Sequence, residues 1–286
     1  MRLVSFLRLG KATFGIEKNE GIIDLGERLK GKVRSKTIME MLATNAISLI
    51  ENLDNSSPDY SVSDIAFLPV IPDPRKILCI GLNYEKHRLE TKREVSGYPT
   101  IFTRFADSQV AHNQYLVKPS ESDRFDFEGE LAVIIGKGGK NIKENNAMDH
   151  IAGYSCYNDG SVRDWQRHTS QFTPGKNFPK TGAFGPGMVL RQSIPDYRQL
   201  KIQTRLNDKV VQDACLDQLI FDIPRLIAYC STFTCLSAGD VIVTGTPGGV
   251  GDRRDPPLYL KEGDKVEVEI PGVGLLRNNV ISESSL

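Results

Sequence analysis

The stretch DFEGELAVIIG, residues 126–136, places two carboxylates, Glu128 and Glu130, at the head of an unbroken apolar run from Leu131 to Ile135. Five apolar residues closed by a glycine read as a buried β-strand. Side chains two apart on a strand leave from one face, so both glutamates point into one space. Two carboxylates held together away from water repel and lose hydration, and a hard divalent cation relieves both costs. The alternative is a solvated edge strand on which Glu128 and Glu130 alternate with Phe127 and Leu131. A second stretch, GYSCYNDGSVRDWQ at 153–166, is strand-like up to Asp159 and then turns into a short helix around SVRDWQRHT. An oxygen donor arriving from a second strand end is what a catalytic Mg²⁺ or Mn²⁺ site requires.

Around these segments the composition is neutral. The chain has 286 residues, with 36 basic against 36 acidic, so bulk charge points to neither a nucleic acid nor a membrane surface. It is long enough to bury a core without disulfides or structural zinc. Cys79, Cys156, Cys215, Cys230 and Cys235 show no CxxC spacing and read as reduced core residues. The first residues, MRLVSFLRLGKATFG, lack a secretory apolar block, and no apolar stretch approaches the roughly 20 residues of a membrane span. The expectation is a cytoplasmic protein.

Residues 1–72 read as a small α+β unit. Gly10, Gly15 and Gly21 break short strands, and SKTIMEMLAT supplies a helix capped near Ser35. Three prolines between Pro69 and Pro74 form a stiff connector, and residues 73–286 make the second unit. There LAVIIG, IAGYSCYN, GPGMVL, KIQTRLND, DVIVTG and DKVEVEI are short strands parted by turns, which argues for a mainly β sandwich or rolled sheet with some α. One longer helix is expected at FDIPRLIAYCSTF, with Asp222 as N-cap and Pro224 in the first turn. In VEVEI, Glu267 and Glu269 read as a solvated strand face. GERLKGKV at 26–33 matches GxxxxGK, but Val33 stands where a phosphate loop needs Ser or Thr.

Seven segments in fixed order resemble the fumarylacetoacetate hydrolase (FAH) family: GLNYEKHRLE (81–90), DFEGELAVIIG, NDGSVRDWQ (158–166), PGKNFPKTGAFGP (174–186), DIPRLIAYCS (222–231), LSAGDVIVTGTPGGVG (236–251) and LKEGDKVEVEIPGVGLLRN (260–278). The resemblance implies a mixed β-sandwich roll, a homodimer, and Mg²⁺ or Mn²⁺ (Ca²⁺ in some members) held by Glu128, Glu130 and Asp159. It implies a small anionic 2-oxo or 1,3-dicarbonyl substrate. His87 and Glu90, one helical turn apart, become a water-activating dyad on a closing segment. Taken alone, that pair, set among Lys86, Arg88, Lys92 and Arg93, reads as a solvated charged helix. Lys176 becomes the cation that stabilises an enolate, and Gln166 and Thr246 become substrate contacts. Arg163 and Asp164 become braces of the metal loop. Two positions depart from the family pattern. Arg104 stands where many relatives carry lysine and suggests a bidentate contact to a substrate carboxylate. Pro179 replaces a frequent Asp. The expected reaction is hydrolytic C–C cleavage of an acylpyruvate-like acid. Oxaloacetate decarboxylation and 2-oxo-enoate hydration or isomerisation are alternatives, and a non-catalytic metabolite-binding protein is a further one.

Overall fold

The computed structural model describes residues 1–19, 21–31, 35–92, 94 and 96–285. Lys32 and Val33 of the GxxxxGK match therefore lie outside the described residues. The strands that matter here are β1 (Arg2–Arg8), β2 (Lys11–Lys18), β3 (Gly21–Asp24), β4 (Ile77–Gly81), β5 (Thr100–Arg104), β6 (Leu116–Lys118) and β7 (Gly129–Ile135). They continue with β8 (Ile151–Asn158), β9 (Gly182–Leu190), β10 (Lys201–Leu206), β11 (Lys209–Cys215), β12 (Val241–Val243), β13 (Lys265–Ile270) and β14 (Gly274–Ser282). Five helices complete the frame: α1 (Ile38–Ala43), α2 (Glu85–Glu90), α3 (Arg163–Gln166), α4 (Thr173–Lys176) and α5 (Ile223–Phe233).

The large sheet runs β3-β2-β1-β9-β8-β7-β12-β4-β5 and is mostly antiparallel, with β12 and β4 parallel. A second sheet, β11-β10-β13-β14-β6, packs over β7, β8 and β9. The expected α+β architecture with a rolled sheet is what forms. β1 pairs with β9, Arg2 opposite Val189 and Leu3 opposite Met188, so the sheet of the first seventy residues is continuous with the rest.

β7 shows why its sequence is apolar without alternation. It lies between β8 and β12, fully buried, and each face meets a different core. Leu131, Val133 and Ile135 pack with Tyr154, Val268 and Leu276 between the two sheets. Ala132 and Ile134 pack on the opposite side with Leu3, Phe14, Met41 and Val241. A strand covered on both faces needs apolar residues at every position. The edge-strand alternative for Glu128 and Glu130 is thereby excluded.

Three local expectations need correction. α1 is capped by Thr37, whose hydroxyl accepts from the Glu40 N–H, while Ser35 bonds to Thr44 instead. Glu267 is buried, because Arg205 on β10 and Arg277 on β14 stand directly opposite it and both donate to its carboxylate, at 3.0 and 2.6 Å. Cys235 is exposed and Cys215 half-buried; Cys79, Cys156 and Cys230 are core residues. The longest α-helix begins as expected, with Asp222 accepting from the Arg225 N–H at 3.0 Å. Among the described residues no helix is long and apolar enough to cross a membrane.

Candidate metal centre and active site

The two segments read from the sequence end side by side. β7 and β8 are antiparallel with Gly129 opposite Asn158, so the start of one strand meets the end of the other. Asn158 Oδ1 accepts the Glu128 N–H at 2.9 Å, and the Asp159 N–H donates to the Glu128 carbonyl at 2.8 Å. These bonds lock the register that brings Glu128, Glu130 and Asp159 together. One oxygen from each lies within 4.8 Å of the others, and all three residues are buried. They continue the face that carries Ala132, Ile134 and Tyr157, the side closed by Cys79 and Phe102.

Three cations surround this trio. Lys176, delivered by α4 and fully buried, donates to Glu128 at 2.7 Å and to Asp159 at 2.6 Å. Arg163, from the first turn of α3, binds Glu128 at 2.6 Å and Asp126 at 2.7 Å. Arg104 binds the other oxygen of Asp159 at 2.7 Å. Among the described residues Glu130 has no such partner; its Oε2 accepts the Gly245 N–H at 2.5 Å. Gly245 adopts φ +104, and a Cβ there would lie 2.7 Å from that of Asn83, so the approach requires glycine.

The electrostatics follow from this inventory. With Asp126 included, four buried carboxylates face three buried cations. Burial opposes ionisation of Glu128, yet Lys176 and Arg163 outweigh it and hold its carboxyl down at about 2. Glu130 receives the imbalance: burial, then the charges of Asp159 and Glu128, push its carboxyl well above the usual range. Burial also opposes the charge on Lys176, but Asp159 and Glu128 more than compensate, so it remains an ammonium at neutral pH. An all-oxygen donor set with surplus negative charge, one member of it unpaired, fits a hard divalent cation.

A cleft opens over the trio, lined by Glu128, Glu130, Lys176, His87, Gln166 and Thr246 among others. His87 is buried on α2, with Nδ1 3.7 Å from the Glu90 carboxylate; that is an electrostatic contact rather than a hydrogen bond, and among the described residues Nδ1 has no hydrogen-bond partner. Glu90 accepts from the Gly249 N–H at 2.9 and 3.1 Å, which pins α2 against the glycine-rich loop after β12. Burial disfavours the Glu90 charge, but His87 and that N–H hold its carboxyl below the ordinary value. The reading of this pair as a solvated helix face does not survive. Gln166 Oε1 accepts from Arg163 at 3.0 Å. The Thr246 hydroxyl donates to the Gly129 carbonyl at 3.0 Å and accepts from Gln212 at 2.8 Å, so it borders the cleft with its hydroxyl already engaged.

Three sequence-predicted site residues, Glu90, Arg104 and Asp159, do not line the cleft, and of these Arg104 contacts neither a lining glutamate nor His87. It lies behind Asp159, and its five N–H groups are committed to Asp159, Gly160, Ser108 (hydroxyl and carbonyl) and Thr181. No donor remains for a substrate. Arg163 does brace the loop. Asp164 accepts from Ser122 at 2.7 Å, away from the carboxylate trio. Sequence reading missed Asp126, Asp252, Arg167 and Arg253. Asp126, inside the opening stretch itself, accepts from the Gly251 and Asp252 N–H groups at 2.9 and 3.0 Å and so ties the glycine-rich loop to Arg163. Its proximity to two candidate ligands was the available signal.

A sheet roll with a buried Glu-Glu-Asp trio at the joined ends of two central strands defines a class. The family model described as fumarylacetoacetate (FAA) hydrolase C-terminal matches residues 76–281, and this chain belongs to that family. It is similar to the mitochondrial oxaloacetate tautomerase of Xenopus laevis, 40% identical over 98% of this chain and 90% of the relative, and to that of Bos taurus, 38% identical over 98% and 92%. Among solved structures it resembles fumarylacetoacetate hydrolase from psychrophilic Exiguobacterium antarcticum, with TM-score 0.84, 29% identity and coverage of 99% and 100%. It also resembles 2-hydroxyhepta-2,4-diene-1,7-dioate isomerase from Mycobacterium marinum, with TM-score 0.77, 26% identity and 99% of each chain covered. The cytoplasmic expectation is corrected here: these curated relatives are mitochondrial proteins, and absence of a secretory apolar block could not speak to that compartment.

Proposed function

We propose that this chain is a divalent-metal-dependent tautomerase of oxaloacetate-like 2-oxo acids, relocating a proton between C3 and the C2 oxygen. The supporting observation is one cleft with two unlike halves. Its floor is Glu128, Glu130 and cationic Lys176, with Asp159 buried beside them, and its wall carries His87, backed by Glu90. The names of the curated relatives favour proton relocation over hydrolytic C–C cleavage as the primary reaction. Decarboxylation of the same substrate is the neighbouring alternative.

Glu128, Glu130 and Asp159 would hold Mg²⁺ or Mn²⁺, which supplies Lewis acidity toward the 2-oxo group and so acidifies the adjacent carbon. In the keto-to-enol direction His87 takes the proton from C3 and returns it to the C2 oxygen, and the enol-to-keto direction reverses both transfers. With Nδ1 turned toward Glu90, Nε2 is the nitrogen left for substrate, and the carboxylate stabilises the charge that develops on the ring. Lys176 cannot serve as the base, because its partners keep it protonated; its ammonium instead favours negative charge developing on the substrate oxygen. Arg163 holds Glu128 in place from behind, and Arg104 does the same for Asp159.

The test follows decay of enol-oxaloacetate with added Mg²⁺ or Mn²⁺ and after chelation, with carbon dioxide release and acylpyruvate cleavage measured in parallel. Metal-dependent loss of the enol is expected, and His87→Ala should lower kcat about 10²–10⁴-fold. Metal-dependent acylpyruvate cleavage without acceleration of enol decay would instead establish the hydrolase reading.

A further inference from the structure

At the mouth of the cleft, Arg167, Asp252 and Arg253 line the wall together with Gln166 and Thr91. Arg167 makes a two-pronged contact to Asp252, with Nη1 3.1 Å from Oδ1 and Nη2 on Oδ2. Arg253 approaches the same carboxylate, Nε to Oδ2 at 3.3 Å. Tyr259 donates to Asp252 at 2.9 Å, and the Asp252 backbone N–H is held by Asp126. Asp252 is thus a buried, fixed anchor, its side chain 4% exposed, while the side chains of Arg167 and Arg253 are 41% and 36% exposed.

Charge and donor counts make this group unlike the floor of the cleft. Two guanidinium groups share one carboxylate, which leaves a net positive charge at the mouth. Among the described residues Asp252 is the only ion-pair partner of Arg253, the contact runs through Nε at 3.3 Å, and neither terminal nitrogen makes a hydrogen bond. A guanidinium held at one end with its fork open matches a carboxylate in geometry and charge. The floor below would reach a carboxylate through the cation the acidic trio would hold, since Lys176 already donates to Glu128 and to the Asp159 carboxylate and carbonyl, and Asp126 links the two levels by binding both Arg163 and the Asp252 N–H.

We infer that Arg253, positioned by Asp252 and Arg167, binds the second carboxylate of the substrate and makes this cleft selective for 2-oxo dicarboxylates over 2-oxo monocarboxylates. The inference rests on the proposed site on the cleft floor, but it concerns recognition and not proton transfer. A ligand with one carboxylate engages the floor alone. A diacid offers a second carboxylate to Arg253, which lines the same cleft as Glu128, Glu130 and Lys176.

The experiment measures binding with unreactive analogues that differ by one carboxylate. Racemic malate and racemic lactate are titrated calorimetrically into the full chain in Mg²⁺-containing buffer, for the native protein and for Arg253→Met and Arg253→Lys. The native protein should bind malate more tightly than lactate. Arg253→Met should weaken malate about 10- to 100-fold, the loss of one charge-assisted hydrogen-bonded pair, and shift lactate far less. Arg253→Lys should recover part of the difference. Because Arg253 is a surface side chain with one partner, a matched melting temperature checks that folding is intact. Equal weakening of both ligands, or an unchanged malate-to-lactate ratio, overturns the inference. If that ratio collapses as expected while oxaloacetate is not tautomerised, the reaction proposed above fails and the diacid site stands.

Discussion

Glu130 and Glu128 differ by two positions and by opposite electrostatic situations. Glu128 is matched by Lys176 and Arg163; Glu130 meets only a backbone N–H and two neighbouring anions. Glu130→Gln therefore removes repulsion while a side-chain oxygen can still accept from Gly245. It should raise the stability of the metal-free protein by about 1 kcal/mol and abolish Mn²⁺ binding, a trade of function against stability. Glu128→Gln should also abolish Mn²⁺ binding but destabilise by about 3 kcal/mol, because two buried cations lose their partner. Thermal melts and Mn²⁺ calorimetry on both variants check the contrast, and equal stability changes would refute it. Much of this site was readable in the sequence, since spacing two on a strand fixes a shared face whatever the tertiary context. Arg104 was misread for a related reason. A buried arginine and a substrate-facing one look alike until the committed donors can be counted.

Among the elements, the β10-β13-β14 ladder carries a buried charge that alternation alone could not reveal. Glu267 is directly opposite Arg205 on one side and Arg277 on the other. Strand period predicted which residues share a face, but not that the face would be covered by long side chains from both neighbours. Burial works against the charge on Glu267, yet Arg277 and Arg205 hold its carboxyl below the ordinary value. A depressed acid stabilises the fold above its unfolded-state pKa, and that contribution is lost as pH falls through the folded value. Glu267→Gln should cost about 2 kcal/mol at neutral pH, from charge-assisted hydrogen bonds on a partly exposed ladder. The difference from the native protein should shrink as pH drops below the carboxylate range, which denaturant titrations at neutral and acidic pH can follow. A pH-independent difference would contradict the assignment. The α5 cap, in contrast, was legible because Asp-Ile-Pro is a local signal that tertiary packing leaves untouched.

For the molecule as a whole, the sheet runs straight across the division expected from sequence at residues 72 and 73. The proline connector marks a change of composition, but β1 pairs with β9, and Leu3, Phe14 and Met41 share a core with Ala132, Ile134 and Val241. Chain connectivity is visible in a sequence, whereas pairing between residues nearly two hundred apart is not. A chain starting at residue 73 would expose that shared core and one edge of β9, and it should aggregate or unfold without a cooperative transition, as judged by light scattering and thermal melts. A sharp melt from a soluble 73–286 chain would show that the second unit stands alone.

The loop after β12 holds Glu130 through Gly245, α2 through Gly249, and Asp126 through Gly251 and Asp252. Its anchors come from chain positions more than a hundred residues upstream, so the bond that pins Glu130 cannot form until a growing polypeptide has passed Gly245. Contacts of such long sequence separation slow folding. The three carboxylates can thus gather on the β7–β8 pair before the segment that pins Glu130 exists, and the pinning comes last.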